Sequence, residues 1–183
     1  RYQLNEFGFD QYTEKQKENW EGSNIVFANT KQDILNFFHD YIEHRGSYKK
    51  LYLGEIGEEL GKRIFEETKV QVTGYNVCLD SYFENSHSDQ KKESARGQVA
   101  VTPEMVADLP EIIGKFDRVR LGKETRMGKP SLIFEKNIDG KRVAVEYVSD
   151  KRRQLTTQTM WANKNKGLAP TSNATSASET TSE

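Results

Sequence analysis

The sequence is poor in the residues that build covalent and metal-bound frameworks: its 183 residues include one cysteine, Cys78. A single thiol excludes an internal disulfide and a zinc site made of several cysteines, and it is typical of a reducing compartment. Cys78 stands in the apolar run YNVCL, which reads as a strand. We therefore expect a buried, inert thiol and not a nucleophile.

Long apolar runs and cofactor motifs are also missing. No stretch approaches the roughly 20 apolar residues of a membrane-spanning helix, and no charged-then-apolar signal opens the chain. The glycines of YLGEIGEELGK follow no clear strand in dinucleotide-binding spacing, so they indicate close packing. We expect no membrane partner, no metal and no other cofactor. Because the chain starts with Arg1, we expect it to be part of a longer polypeptide.

Charge is nearly balanced overall but unevenly distributed. The net charge is −1, yet residues 1–84 contain 10 Lys and Arg against 15 Asp and Glu, whereas residues 87–166 contain 17 against 11. A basic half suits a polyanionic partner, because neutralised phosphates release counterions. Charge alone leaves an alternative equally open, namely a solvated edge strand kept soluble by its lysines and arginines.

Hydrophobic periodicity predicts helices in the first part of the chain. SNIVFAN reads as a short strand, and KQDILNFFHDYIEHR as a helix that stops before Gly46. A second helix is predicted over YLGEIGEELGKRIFEETK, followed by a strand at YNVCLD. Thr102 and Pro103 then begin a helical segment that Pro110 is expected to divide into two short helices.

The C-terminal part reads as β structure. DRVRLGKE, PSLIFEKNIDGKRVAVEYVSD and KRRQLTTQTMW predict strands, with a hairpin turn at Asp139 and Gly140. Helices followed by strands indicate an α+β fold. We expect residues 1–48 to form an N-terminal extension whose strand and helix pack on the core. Residues 49–166 would form the principal domain, and the Ser/Thr-rich residues 167–183 a disordered tail.

Three histidines are candidates for acid–base chemistry, because the ordinary pKa of histidine lies near neutrality. His39 lies beside the apolar stripe of the first long helix and His44 in its last turn, so both have structural explanations. His87 stands in the polar stretch ENSHSDQKK, where no core requires it. An isolated loop histidine is more often structural than functional, but His87 accompanies a basic half and a hydroxyl-rich strand.

The last predicted strand, DKRRQLTTQTMW, combines bases, hydroxyls and amides. Regular alternation places Arg153, Leu155, Thr157, Thr159 and Trp161 on one face. Neither face is apolar throughout, so we expect the strand to line a wet concave surface. The structural alternative is a Thr-rich edge strand without function, since Thr is a good strand former.

These side chains suit cleavage of RNA without a metal. Attack of a 2′-hydroxyl on the neighbouring phosphate needs a proton acceptor, a proton donor and fixed hydrogen-bond donors around the phosphorus. We expect His87 to act as general acid or base, Arg153 or Lys136 to stabilise the charged phosphorane, and Thr157 or Thr159 to donate hydrogen bonds. DNA lacks the 2′-hydroxyl and would not be cleaved.

Further residues are expected to bind the nucleic acid around this site. Trp161 offers a plane for base stacking, worth ~1–3 kcal/mol where such stacking occurs. The cations expected to contact the RNA backbone are Lys92, Arg96, Lys151 and Arg152.

The order of these segments resembles the phage-associated branch of the barnase, EndoU, colicin and RelE-like nucleases. KKLYLGEIGEELGKRI, YNVCLDSYFENSH, GQVAVTPEMVADLPEIIGKFDRVRLG and RRQLTTQTMWANK carry the resemblance, over roughly residues 49–166. The resemblance implies N-terminal helices packed on a C-terminal four-stranded antiparallel sheet. It also implies a metal-independent endoribonuclease toxin domain, of the kind found at the C-termini of phage head-morphogenesis and polyvalent proteins.

The resemblance implies residue roles and partners as well. The family's histidine corresponds to His87, and its late-strand pattern L-x-x-x-T-x-aromatic to Leu155, Thr159 and Trp161. The family usually has tyrosine where Trp161 stands, which leaves Tyr147 as another source of a phenol. The implied partners are RNA, with tRNA and mRNA as candidates, and an immunity protein, with action in the bacterial cytoplasm after phage delivery or secretion. The alternative is a noncatalytic nucleic-acid or capsid binding module of a phage structural protein.

Overall fold

The structure is a computed structural model that describes residues 3–44, 49–80, 98–99, 102–124, 128 and 130–163. Helices and strands alternate in the first half of the chain, and strands dominate the second half. In chain order they are α1 (Glu14–Asn19), β1 (Ile25–Phe27), α2 (Lys31–His44), β2 (Lys50–Glu55), α3 (Glu58–Thr68), β3 (Asn76–Asp80), β4 (Gln98–Val99), α4 (Pro103–Gly114), β5 (Arg118–Leu121), β6 (Ser131–Asn137), β7 (Lys141–Ser149) and β8 (Gln154–Asn163).

These strands form one mixed sheet of eight strands. The order is β1-β2-β3-β8-β7-β6-β5, and the short β4 pairs with β8. The last four strands form an antiparallel meander, whereas β3 pairs in parallel with β8 and β1 in parallel with β2. The α+β class is confirmed, but the predicted four-stranded antiparallel sheet was wrong in extent. The strands β3 and β4 hydrogen-bond to β8, β2 and β1 continue the sheet beyond β3, and the number of strands is twice that predicted.

The main hydrophobic core lies on one face of the sheet, the inner face, which carries α2, α3 and α4. Side chains from these helices and from alternate positions of the strands fill it. Lys31 of α2 and Arg142 of β7 both form ion pairs with Asp108 of α4, with N–O distances of 2.6 and 3.6 Å. These pairs join the helical layer to the sheet at one end.

The opposite face, the outer face, is partly covered by the N-terminal segment. The rings of Tyr12, Trp20, Phe27 and Tyr52 pack on one another, with centroids 5.1–6.2 Å apart. Cys78 is fully buried against this cluster, and burial raises the pKa of its thiol to about 12. The prediction of a buried cysteine is therefore confirmed. The cluster covers β1, β2 and β3 and does not extend to β5–β8.

Residues near the N-terminus are part of the same core. Phe7 and Phe9 are 1% and 0% exposed. The amide of Asn5 donates to the backbone oxygen of Leu53 at 2.7 Å, and its side-chain oxygen accepts from the backbone amides of Phe7 and Phe9 at 3.0 and 3.1 Å. These hydrogen bonds hold the first residues against β2.

Two local predictions were wrong. The segment KLYLGE forms β2 and not the start of a helix, because Leu51 and Leu53 alternate with Tyr52 between the two faces of the sheet. Pro110 lies inside a continuous α4, although an interior proline removes one helical hydrogen bond. Pro110 is itself buried with Leu109 and its neighbours, so packing against the core stabilises the uninterrupted helix.

The predicted N-cap and hairpin are confirmed. The Thr102 hydroxyl accepts a hydrogen bond from the backbone amide of Met105 at 3.2 Å, and Pro103 is the first residue of α4. Asp139 and Gly140 join β6 to β7 with φ angles of 52° and 107°. Two successive positive φ angles are what a tight hairpin turn requires.

Candidate functional site

On the outer face of β5–β8, polar side chains from neighbouring strands lie close together. They lie in cross-strand rows, in which opposed side chains are about 4.5–5.5 Å apart at Cβ. The first row is Arg118, Glu135, Val143 and Trp161; the second is Arg120, Ile133, Val145 and Thr159; the third is Ser131, Tyr147 and Thr156.

A β-bulge in β8 decides which residues reach this face. Val145 pairs with Thr159, but the next residue of β7, Glu146, pairs with Thr157. Gln158 is therefore an extra residue without a cross-strand partner, and it is exposed. One inserted residue reverses the phase of side-chain alternation along the rest of the strand.

The prediction that these residues of the last strand share one face was therefore wrong. Thr157 faces inward with Leu155, and the two residues are 4% and 0% exposed. Thr159 and Trp161 lie on the outer face and are partly exposed. Of the two threonines expected to donate to a phosphate, the structure places Thr159 on the polar face and Thr157 in the core.

Arg153 is not in the strand and does not lie beside Thr159. It has a φ of 52° in the turn before β8, and its guanidinium carbon lies 4.9 Å from the centre of the Tyr75 ring. The Tyr75 hydroxyl donates to the Asp150 carboxylate at 2.7 Å, and this hydrogen bond raises the pKa of Tyr75. Arg153 thus holds the β7–β8 turn against the segment that leads into β3.

The other predicted cations are spread around the sheet. Lys136 faces inward, 3.8 Å from Asp117, in a row with Arg142 near the far end of β8 from Arg153. Lys151 and Arg152 are exposed in the β7–β8 turn. The structure therefore separates Arg153 from Lys136, and it places neither beside Thr159. The predicted residues His87, Lys92 and Arg96 lie outside the described residues.

A carboxylate that sequence reasoning missed, Glu135, lies in the first row of the outer face. Glu135 is 8% exposed; its two oxygens lie 3.4 Å from Arg120 Nε and 3.6 Å from Lys141 Nζ. The signal was present in SLIFEKN, where alternation with the buried Phe134 puts Glu135 on the face opposite to the core. The cations that pair with Glu135, Arg120 of β5 and Lys141 of β7, cannot be identified from the periodicity of β6 alone.

Two aromatic rings flank the Thr159 row. Tyr147 is 38% exposed in the third row, and Trp161 is partly exposed in the first row. Tyr147 is the phenol that sequence reasoning named as the alternative to the family's usual tyrosine. The structure therefore places it on the same face as Thr159 and Trp161.

A depression of about 920 Å³ lies elsewhere, between the N-terminal segment and the start of α3. Its lining includes the carboxylates of Asp10, Glu55, Glu58 and Glu59. Burial raises the pKa of Asp10 and of Glu55. A wall with this many carboxylates does not suit a phosphate ligand.

The described part of the chain contains no group of three or more His, Cys, Asp or Glu side chains that could hold a metal ion. Among the helices of that part, none is long and apolar enough to cross a membrane.

Comparison with known proteins identifies one family. A family model described as phage-Barnase-EndoU-ColicinE5/D-RelE like nuclease3 matches residues 54–169, which is more than half of the chain. No curated protein and no solved structure matches the chain.

Proposed function

Because the chain belongs to the phage-associated barnase, EndoU, colicin E5/D and RelE-like nuclease family, we propose that it is a metal-independent endoribonuclease that acts on the outer face of its sheet. The family membership carries the nuclease assignment. The outer face supports it with hydroxyls, cations and a carboxylate within neighbouring rows. The proposed reaction is attack of a ribose 2′-hydroxyl on the adjacent phosphate, with expulsion of the 5′-oxygen of the next nucleotide.

Each role in this reaction has a candidate. Arg120 is a half-exposed cation on the edge strand, suited to a phosphate oxygen. The Thr159 hydroxyl lies in the same row and would donate to the developing charge. One group must take the proton of the 2′-hydroxyl and another must protonate the leaving oxygen. We assign these two roles to His87 and Glu135, without an order between them.

Chain connectivity supports a place for His87 near β8. Residues 81–97, which include His87, are bounded by β3 and β4, and both of these strands pair with β8. Gln98 pairs with Asn163 and Val99 with Ala162, next to Trp161. The described residues on both sides of the segment that contains His87 therefore belong to strands that pair with β8, the strand of Thr159.

The test uses purified chain and total RNA, with and without a chelator. We expect cleavage that persists with the chelator and products that end in a 2′,3′-cyclic phosphate. Single-stranded DNA, tested in parallel, should not be cleaved because it lacks the 2′-hydroxyl. His87→Ala should abolish cleavage. His39→Ala, an exposed histidine of α2 on the helical side of the sheet, is the matched control and should cleave like the wild type.

Two results would contradict the proposal. If the folded protein binds RNA but leaves it intact, the noncatalytic binding module is the better description. If cleavage is equal in the His87→Ala and His39→Ala variants, the reaction does not use His87.

A further inference from the structure

We propose that the outer face of β7 and β8 binds single-stranded RNA on two separate stacking platforms, Tyr147 and Trp161, which flank Thr159. This inference rests on the proposed function, because it names the form of RNA that the same face takes.

The two rings are available for stacking. Within the described residues, neither Tyr147 nor Trp161 takes part in an aromatic pair or a cation–π contact, although both lie on a sheet face with other aromatic residues. By contrast, the ring of Trp20 contacts three other rings in the cluster over β1–β3. Tyr147 is 38% exposed. Trp161 is also partly exposed, so both residues have surface that a base can reach.

The spacing of the rings selects single strands. Trp161 pairs with Val143, four residues along β7 from Tyr147, so the two platforms are about 13 Å apart at ~3.3 Å per residue. Successive bases in one strand of a duplex are ~3.4 Å apart and stack on each other. Bases that reach both rings must therefore be splayed out of a stack, which only an unpaired strand allows.

The charges beside the platforms match a phosphate backbone. Arg118 and Arg120 are exposed on the edge strand β5, in the same rows as Trp161 and Thr159. Lys141 is also half-exposed next to Glu135. Against these three cations the outer rows contain one carboxylate, so the surface has a net positive charge that favours a polyanion.

This arrangement predicts tolerance of base identity. Every base has a π-face, so stacking on an aromatic ring depends little on which base is present. The described side chains between the platforms are small, with Val145 and Thr159 in the middle row. We therefore expect selection for unpaired RNA and weak selection for sequence at the two platform positions.

The experiment measures binding separately from cleavage. The probes are fluorescently labelled oligodeoxynucleotides of thymidine or adenosine, which lack the 2′-hydroxyl that the proposed reaction needs, and a duplex of the two. Affinity is measured by anisotropy for the wild type and for Tyr147→Leu and Trp161→Leu. The aromatic variants Tyr147→Phe and Trp161→Tyr retain a ring, and Phe65→Leu removes an exposed ring from α3 as a matched control.

We expect each platform leucine variant to bind single strands roughly 5- to 150-fold more weakly, the range that corresponds to ~1–3 kcal/mol of stacking. The two aromatic variants should bind more tightly than the matching leucine variants, because each retains a ring, and Phe65→Leu should bind like the wild type. Intrinsic tryptophan fluorescence adds a second readout, because the chain has two tryptophans. Bound oligonucleotide should quench the wild-type signal, and the quenching should disappear in Trp161→Tyr, which leaves Trp20 in its cluster.

Two outcomes would overturn the platforms: leucine variants that are folded by circular dichroism and bind like the wild type, or a duplex that binds as tightly as the single strands. Either result leaves the nuclease proposal standing if RNA is still cleaved. Conversely, if the wild type binds the oligodeoxynucleotides and the leucine variants do not, the platforms are supported even if RNA is not cleaved.

Discussion

Glu146 of β7 lies directly opposite Thr157 of β8, and the buried side-chain oxygens of both residues have no hydrogen-bond partner of good geometry within the described part of the chain. Glu146 is completely buried between core residues, with Ala144 and Val148 along its own strand and Leu132 opposite on β6. Burial raises the pKa of the Glu146 carboxyl to about 8, and the nearby Thr157 hydroxyl lowers it only in part. At neutral pH the folded state therefore favours a neutral carboxyl beside the bulge.

This carboxyl should make stability depend on pH. Its pKa is higher in the folded state than the ordinary value of 4.5, so its contribution is fully present below about pH 4.5 and is lost as the pH rises to about 8. Across that window we expect the free energy of unfolding to fall by up to about 1.4 kcal/mol per pH unit. Chemical denaturation at several pH values measures this slope.

The variant Glu146→Gln should remove the slope, because an amide does not titrate. Glu104→Gln replaces an exposed glutamate of α4 and should leave the slope as in the wild type. A slope that survives in Glu146→Gln would mean that another group causes it.

Deletion of Gln158 should be tolerated. It removes the unpaired residue and leaves Thr157 facing inward and Thr159 outward, since regular alternation then continues through both. Deletion of Ala144 from the regular part of β7 is the matched control. It would turn the residues on one side of the deletion to the wrong face and should prevent folding. Thermal unfolding of the two variants distinguishes them. If the Gln158 deletion destabilises the protein as much as the Ala144 deletion does, Gln158 is not an extra residue in β8.

Arg153 should contribute to stability more than to cleavage. Arg153→Ala loses the contact with the Tyr75 ring, for which we expect a cost of about 0.5–1 kcal/mol. Arg153→Gly loses the same contact but fits the φ of 52° without a Cβ, so it should be more stable than the alanine variant by about 1 kcal/mol. Both should cleave RNA at nearly the wild-type rate, whereas Arg120→Ala should not. A large loss of cleavage in Arg153→Gly would restore the phosphate role first predicted for this arginine.

A chain that starts at residue 49 should not fold by itself. It lacks Phe7, Phe9, Ile34 and Phe38, four side chains that are at most 1% exposed in the core. Burial of each such side chain contributes about 1.5–3 kcal/mol, and the sum is comparable to the ~5–15 kcal/mol stability of a domain. Circular dichroism and thermal melting of residues 49–166 test this. A cooperative transition in that fragment would show that the N-terminal extension is dispensable.

Local chemistry in the sequence was enough to predict several elements. The Thr102 cap with Pro103 and the Asp139–Gly140 turn act within a few residues, and the structure agrees with both. The helix stop predicted before Gly46 lies outside the described residues. The buried state of Cys78 followed from the alternation around it. The family resemblance rested on such local segments in order along the chain, and the family match confirms it.

The sequence by itself determined the α+β class, the principal strands of the C-terminal half and the family. Only the tertiary structure decided which face each polar residue occupies. The bulge at Gln158, the parallel pairing of β8 with β3 and the contact of Arg153 with Tyr75 all depend on partners distant in sequence. Alternation along one strand cannot detect an extra residue that is defined by the opposite strand, and this is why Thr157 and Thr159 read as neighbours on one wall but lie on opposite faces of the sheet.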